Sequence, residues 1–134
     1  MSNKSSGTAF EREWAQMLAD HGFWAHCLKD NANGQPFDVI AAKGGKAYAF
    51  DCKECQYNDF SLYRIEENQL YAMQLWQMCG NGEGMFVIGL PDGIRLLKYS
   101  LAEKLIESGH RRLKGRTIIE NTIDYEEWVT CRSQ

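Results

Sequence analysis

Two adjacent glycines, Gly44 and Gly45, stand midway between Asp38 and Asp51 and constrain this chain more than any other feature. A Gly-Gly pair is a strong signal for the two-residue turn of a β-hairpin, because both positions need φ above zero. With that turn, Lys43 faces Lys46, Ala42 faces Ala47, and the pairing runs back until Asp38 faces Asp51. Like charges set directly opposite each other destabilise a strand pair. A hairpin that brings two carboxylates together therefore points to a cation held between them. Lys53 follows Asp51 on the same face, since strand side chains repeat every two residues. Two acids and an amine converging on one spot suit metal-assisted phosphodiester hydrolysis, in which the cation polarises a phosphate oxygen and activates water.

The elements around this hairpin follow from periodicity. Thr8 and Glu11 have the form of a capping box, and Phe10, Trp14, Met17, Leu18 and His21 recur at helical spacing up to Gly22. Phe23 to Leu28 predicts a strand, and the polar run from Lys29 to Pro36 a loop that delivers the chain to Asp38. Phe37 to Ala42 and Ala47 to Lys53 are the hairpin strands, followed by a polar linker through Asn58, Asp59 and Ser61. Glu66 and Glu67 suit the positive end of a helix whose stripe is Leu70, Met73 and Trp76, with Gly80 as its stop. Met85 to Leu90 and Ile94 to Tyr99 form a second hairpin across Pro91-Asp92-Gly93. Ser100 with Glu103 predicts another capped helix that closes near Gly109, and Asp124 with Glu127 a last helical turn carrying Trp128. The expected fold is an α/β single domain spanning residues 1–134, with a central mixed β-sheet flanked by helices.

Composition narrows the function. No apolar run approaches the length of a membrane span, and the N-terminus lacks the apolar segment of a signal peptide. The five cysteines are odd in number and lack a framework spacing, which suits a reducing compartment, so a cytoplasmic protein is expected. A net charge of −3 argues against a general nucleic-acid binder. It remains compatible with an enzyme that uses a bound divalent cation and a local basic patch. His110 to Arg116 holds the densest cations, and Arg111, Arg112, Lys114 and Arg116 are candidate phosphate contacts, with Lys43 and Lys46 at the hairpin tip extending the patch.

Each candidate also has an ordinary explanation. An exposed strand shows the same alternation as Asp51-Cys52-Lys53, Asp38 could cap its loop, and Glu11 could serve only as the helix cap. Cys52-Lys53-Glu54-Cys55 is a C-x-x-C, but it starts inside a strand rather than opening a helix, and no second pair stands at zinc-ligand spacing.

Taken in order, Gly7-Thr8-Ala9-Phe10-Glu11, Pro36-Phe37-Asp38 and Asp51-Cys52-Lys53 resemble the PD-(D/E)XK nuclease superfamily, and within it the Holliday junction resolvases of the RecU type. Phe60-Ser61-Leu62, Asn68-Gln69 and Met85-Phe86-Val87-Ile88 resemble the family's stretch after the lysine, which includes a helical Gln. The likeness implies a restriction-endonuclease-like core and a Mg²⁺- or Mn²⁺-dependent endonuclease. Asp38, Asp51 and the Cys52 carbonyl would be ligands, Glu11 would complete the shell or orient water, and Lys53 would position the attacking water. Gln35 and Gln69 are possible supports of the site. The implied partner is branched DNA, such as a four-way junction bound by a homodimer, with products ending in 5′-phosphate and 3′-hydroxyl and a bacterial or phage-infected cell as the setting. The segment before Asp38 is too short for the stalk of RecU-type enzymes, so a short form is expected. A VRR-type or restriction-like nuclease, or a subunit that binds branched DNA without cutting, shares the same core.

Overall fold

A computed structural model describes residues 3–28 and 37–132, the side chains of residues 3–8 and 132 excepted. In chain order the elements are α1 (Asn3–Asp20), β1 (Trp24–Cys27), β2 (Val39–Lys43), β3 (Lys46–Glu54), β4 (Asp59–Ser61), a 3₁₀ turn (Leu62–Arg64), α2 (Glu67–Met78), β5 (Met85–Leu90), β6 (Gly93–Lys98), α3 (Tyr99–Glu107), β7 (Arg112–Lys114), α4 (Arg116–Asn121), β8 (Ile123–Asp124) and α5 (Tyr125–Arg132). Gly44 and Gly45 adopt φ of 60° and 81°, and the hairpin they close has Lys43 opposite Lys46 and Val39 opposite Phe50, as the spacing predicts.

β1 adds outside β2, and β5 lies on the other side of β3, giving a six-stranded sheet of order β1-β2-β3-β5-β6-β8. β3 and β5 run parallel, while the other neighbours are antiparallel. β3 outruns its partner: pairing with β2 stops at Phe50, whereas Asp51 to Glu54 pair with β5 alone. The sheet therefore has an open notch on the β2 side, where the sequence places its chemistry.

Both faces of the sheet are buried. On one, Phe10, Trp14 and Leu18 of α1 and Trp128 of α5 pack against Val39, Tyr48, Phe50 and Val87. On the other, Met73 of α2, Leu105 of α3 and Ile118 of α4 pack against Ala49, Phe86, Ile88 and Leu97. Strand alternation sends Phe50 and Cys52 toward α1, and Asp51 and Lys53 toward α2. Among the described residues, no helix is long and apolar enough to cross a membrane.

Three expectations are corrected. α1 begins at Asn3, so Thr8 and Glu11 lie within the helix and do not mark its start. α3 begins at Tyr99, and Ser100 donates its hydroxyl proton to Glu83 rather than capping the helix. The linker after Lys53 contains β4, which pairs with β7 from the basic segment and brings Phe60 opposite Leu113. Both side chains are fully buried, and that burial folds two charged segments into a small second sheet.

Candidate active site

The notch in the sheet is filled by Asp38. Its N–H donates to the Phe50 carbonyl at 2.8 Å, and its Oδ2 accepts the Cys52 N–H at 2.7 Å. That side chain satisfies a backbone donor which β2 no longer reaches. The same alternation sends the Cys52 carbonyl to the open edge. Asp38 and Asp51 are near enough to act on each other, the charge of Asp38 raising the Asp51 carboxyl.

Asp51 is 4% exposed. Lys53 Nζ lies 3.0 Å from Asp51 Oδ2, near enough for charge attraction but without the alignment of a hydrogen bond. Gln69, on the first turn of α2, ties the pair together. Its Nε2 donates to Asp51 Oδ1 at 3.2 Å, and its Oε1 accepts from Lys53 Nζ at 3.3 Å. Oε1 also accepts the Glu66 N–H at 3.0 Å, so the residue that caps α2 holds two members of the site. Burial raises the Asp51 carboxyl to about 7; Lys53 pulls it down, while the charge and hydrogen bond of Asp38 push it up.

These residues fit a divalent cation. Asp51 Oδ2 is buried without a hydrogen-bond partner, beside a second carboxylate and a carbonyl at an open edge. A cation there would offset the negative charge that burial disfavours on Asp51. Among the described residues, no three His, Cys, Asp or Glu side chains gather as a ready-made ligand set. Two carboxylates with the remaining positions left to water and substrate phosphate is the pattern Mg²⁺ favours.

The other candidates are dispersed. Glu11 belongs to the α1 side of the sheet: its carbonyl accepts from Cys27 Sγ at 3.6 Å, and its charge acts on Cys27 and Cys52 together with that of Asp38. Gly89 permits this approach, because a Cβ there would lie 2.6 Å from Phe10 Cζ. Gln35 lies outside the described residues.

Lys43 donates to the His21 carbonyl at 2.6 Å and sits 5.1 Å from the Phe23 ring centre, so it secures the end of α1. Lys46 is exposed, but it lies five residues from Asp51 along β3, roughly 16 Å away. Arg112 pairs with Asp59 at 3.0 Å, while Arg111, Lys114 and Arg116 are exposed. Arg64 donates to the Glu54 carbonyl at 2.9 Å, which fastens the 3₁₀ turn one residue past Lys53.

Cys52 and Cys55 do not form a redox pair. They belong to opposite cores, and burial pushes the Cys52 thiol well up and the Cys55 thiol up, so neither is an activated thiolate.

A sequence-family profile described as "Archaeal holliday junction resolvase (hjc)" matches residues 2–134. Among solved structures, the chain resembles that of Archaeoglobus fulgidus Hjc, a Holliday junction resolvase from an archaeal hyperthermophile, with a TM-score of 0.70 and 19% identity over 92% of this chain and 99% of that one. No curated protein matches in sequence. The structural likeness carries the fold, a mixed sheet flanked by helices with a restriction-endonuclease-like core, as expected from the sequence. The narrower RecU-type likeness is carried only as far as that shared fold.

Proposed function

The chain belongs to the archaeal Holliday junction resolvase family, and from that premise we propose that it is a metal-dependent endonuclease nicking four-way DNA junctions at the notch beside β3. One observation supports this reading above the others: Asp51, Lys53 and Gln69 form a connected polar cluster at the notch beside β3, with Asp38 held next to them on the Cys52 N–H.

In this reading Asp38, Asp51 and the Cys52 carbonyl would hold Mg²⁺ or Mn²⁺, which when bound would supply Lewis acidity toward the phosphate and lower the pKa of water. Lys53 holds the attacking water and offsets the negative charge that grows on the phosphate. Such an electrostatic role works best where the group is already in place. Gln69 supplies that order by fixing the Lys53 ammonium and the Asp51 carboxylate relative to each other. Glu11 approaches from α1 and orients water rather than capping the helix, which begins well before it.

A junction resolved symmetrically needs two nicks on opposed strands, which suits two copies related by a two-fold axis. Tyr71, Leu75 and Met78 form an exposed stripe on α2, 61%, 43% and 73% exposed. We assign this stripe to the homodimer contact, since apolar side chains at helical spacing favour being covered.

The test is nicking of a labelled four-way junction and a matched linear duplex with Mg²⁺ or Mn²⁺, comparing the wild type with Asp51→Asn. Paired junction cuts lost in the variant support the proposal. Equal cutting of both substrates would leave a nuclease without junction preference, and binding without cutting would favour the non-cleaving subunit.

A further inference from the structure

Beside the active site, a cleft of about 280 Å³ opens between the 3₁₀ turn and the segment joining α3 to β7, lined by Leu62, Tyr63, Ile106, Gly109, His110 and Arg111. The two walls are fastened together by the Leu62 N–H, which donates to the Arg111 carbonyl at 2.8 Å, while the His110 N–H donates to the Leu105 carbonyl at 3.0 Å and closes the second wall on itself. Gly109 makes the turn at φ 88°. The cleft is thus a formed feature with an apolar floor of Leu62 and Ile106.

Its rim carries polar groups that are not engaged by the described residues. Tyr63 is 74% exposed, and its hydroxyl has no hydrogen-bond partner among the described residues. The side chains of His110 and Arg111 are also exposed, and neither has an ion pair or hydrogen bond there. The neighbouring Arg112, by contrast, is paired with Asp59. A large apolar ring held in water beside two unpartnered cationic or proton-donating groups matches one nucleotide of a strand: the ring for the base, the guanidinium and imidazole for the phosphate.

Position supports the same reading. Arg64, next to Tyr63 in sequence, is bonded to the Glu54 carbonyl at 2.9 Å, and Glu54 follows Lys53. The cleft therefore sits within a few residues' reach of the catalytic lysine, on the α2 side of the sheet toward which Asp51 and Lys53 point.

We infer that this cleft is a nucleotide subsite for the strand being cut, in which Tyr63 stacks on a base close to the scissile phosphate and Arg111, with His110, takes the adjoining phosphate. The subsite rests on the DNA-cleaving reading of the neighbouring site. It gives that site a hold on an unstacked base, which a four-way junction offers near its branch point more readily than a linear duplex does.

The experiment is junction binding without cleavage, in EDTA, followed by fluorescence anisotropy with the full chain. A parallel junction carries 2-aminopurine next to the cut. Tyr63→Ala should weaken binding about tenfold and abolish the 2-aminopurine quenching that the wild type causes, while Tyr63→Phe restores both. Trp24→Ala removes another exposed ring, opposite Ala42 at the hairpin-tip end of the edge strand β1, and should change neither. Arg111→Ala should flatten the slope of log affinity against log salt by about 1, the signature of one lost phosphate contact. Wild-type affinity and quenching in Tyr63→Ala, with thermal unfolding unchanged, would overturn the subsite and leave the nuclease reading intact. Failure of the wild type itself to bind the junction would overturn the reading beneath it.

Discussion

Gln69 Nε2 donates to Asp51 Oδ1 at 3.2 Å, so the capping turn of α2 is wired directly to the buried carboxylate of the site. The same side chain accepts from Lys53, so Gln69 fixes acid and amine relative to each other. Gln69→Ala should lower kcat by about 10- to 100-fold, in line with residues that orient metal ligands, with a smaller change in KM. Gln69→Glu places a negative charge beside Asp51 and should move the pH-rate profile to higher pH as well. A loss of stability with an unshifted profile would reduce Gln69 to a helix cap.

Asp51 makes the metal-free protein pH-sensitive, and the sign follows from its raised carboxyl. Between the ordinary carboxylate range near pH 4 and the folded value of about 7, the native state keeps a proton that the unfolded chain has released. Stability therefore falls as pH rises through this window. In EDTA at pH 8, Asp51→Asn should be more stable than the wild type by on the order of 2–4 kcal/mol, measured by urea unfolding, although it is inactive. Adding Mg²⁺ should stabilise the wild type and not the variant.

Gly89 lies beside Glu54 on β5 and gives room to the Phe10 ring, against which an added Cβ would come within 2.6 Å. Gly89→Ala should cost about 1–3 kcal/mol, as overpacking of a filled core does. It should also lower activity, because displacing Phe10 moves Glu11. If activity stays at the wild-type level while the unfolding midpoint drops, Glu11 is not part of the site.

Cys52 contributes its backbone and not its thiol to this arrangement. Cys52→Ala should keep activity within about twofold, with a modest loss of stability from one buried atom group. A large drop in nicking by a folded Cys52→Ala would restore the thiol chemistry that its raised pKa argues against.

The hairpin register was legible because two glycines at a fixed distance from two aspartates admit one pairing, and a one-residue slip would send every side chain to the wrong face. What escaped has physical causes. Thr8 and Glu11 imitate a helix start, yet the helix extends back to Asn3, so local capping chemistry does not decide where a helix begins. β4 and β7 are three residues each, too short for periodicity; their only signals are Phe60 and Leu113, single apolar residues among charges. The reach of Gln69 across to Lys53 depends on how α2 docks on the sheet, which no local pattern encodes. Gly89 did leave a trace, as a glycine inside the apolar run from Met85 to Leu90, a place where close approach of another group is the usual reason.

The stripe of Tyr71, Leu75 and Met78 carries the last prediction. Its residues follow one another on a single face of α2 and stay exposed, although the same helix buries Met73 on its other side. Leu75→Glu places a charge at the centre of this stripe and should shift a dimer toward monomer by at least tenfold in dissociation constant, because an unpaired charge in a covered apolar contact costs more than 1.4 kcal/mol. Sedimentation equilibrium reads this directly. The same variant should then make single nicks at a junction where the wild type makes paired ones, since each copy retains its own Asp38, Asp51 and Lys53. A Leu75→Glu protein that sediments as the wild type does would place the dimer contact elsewhere on the surface.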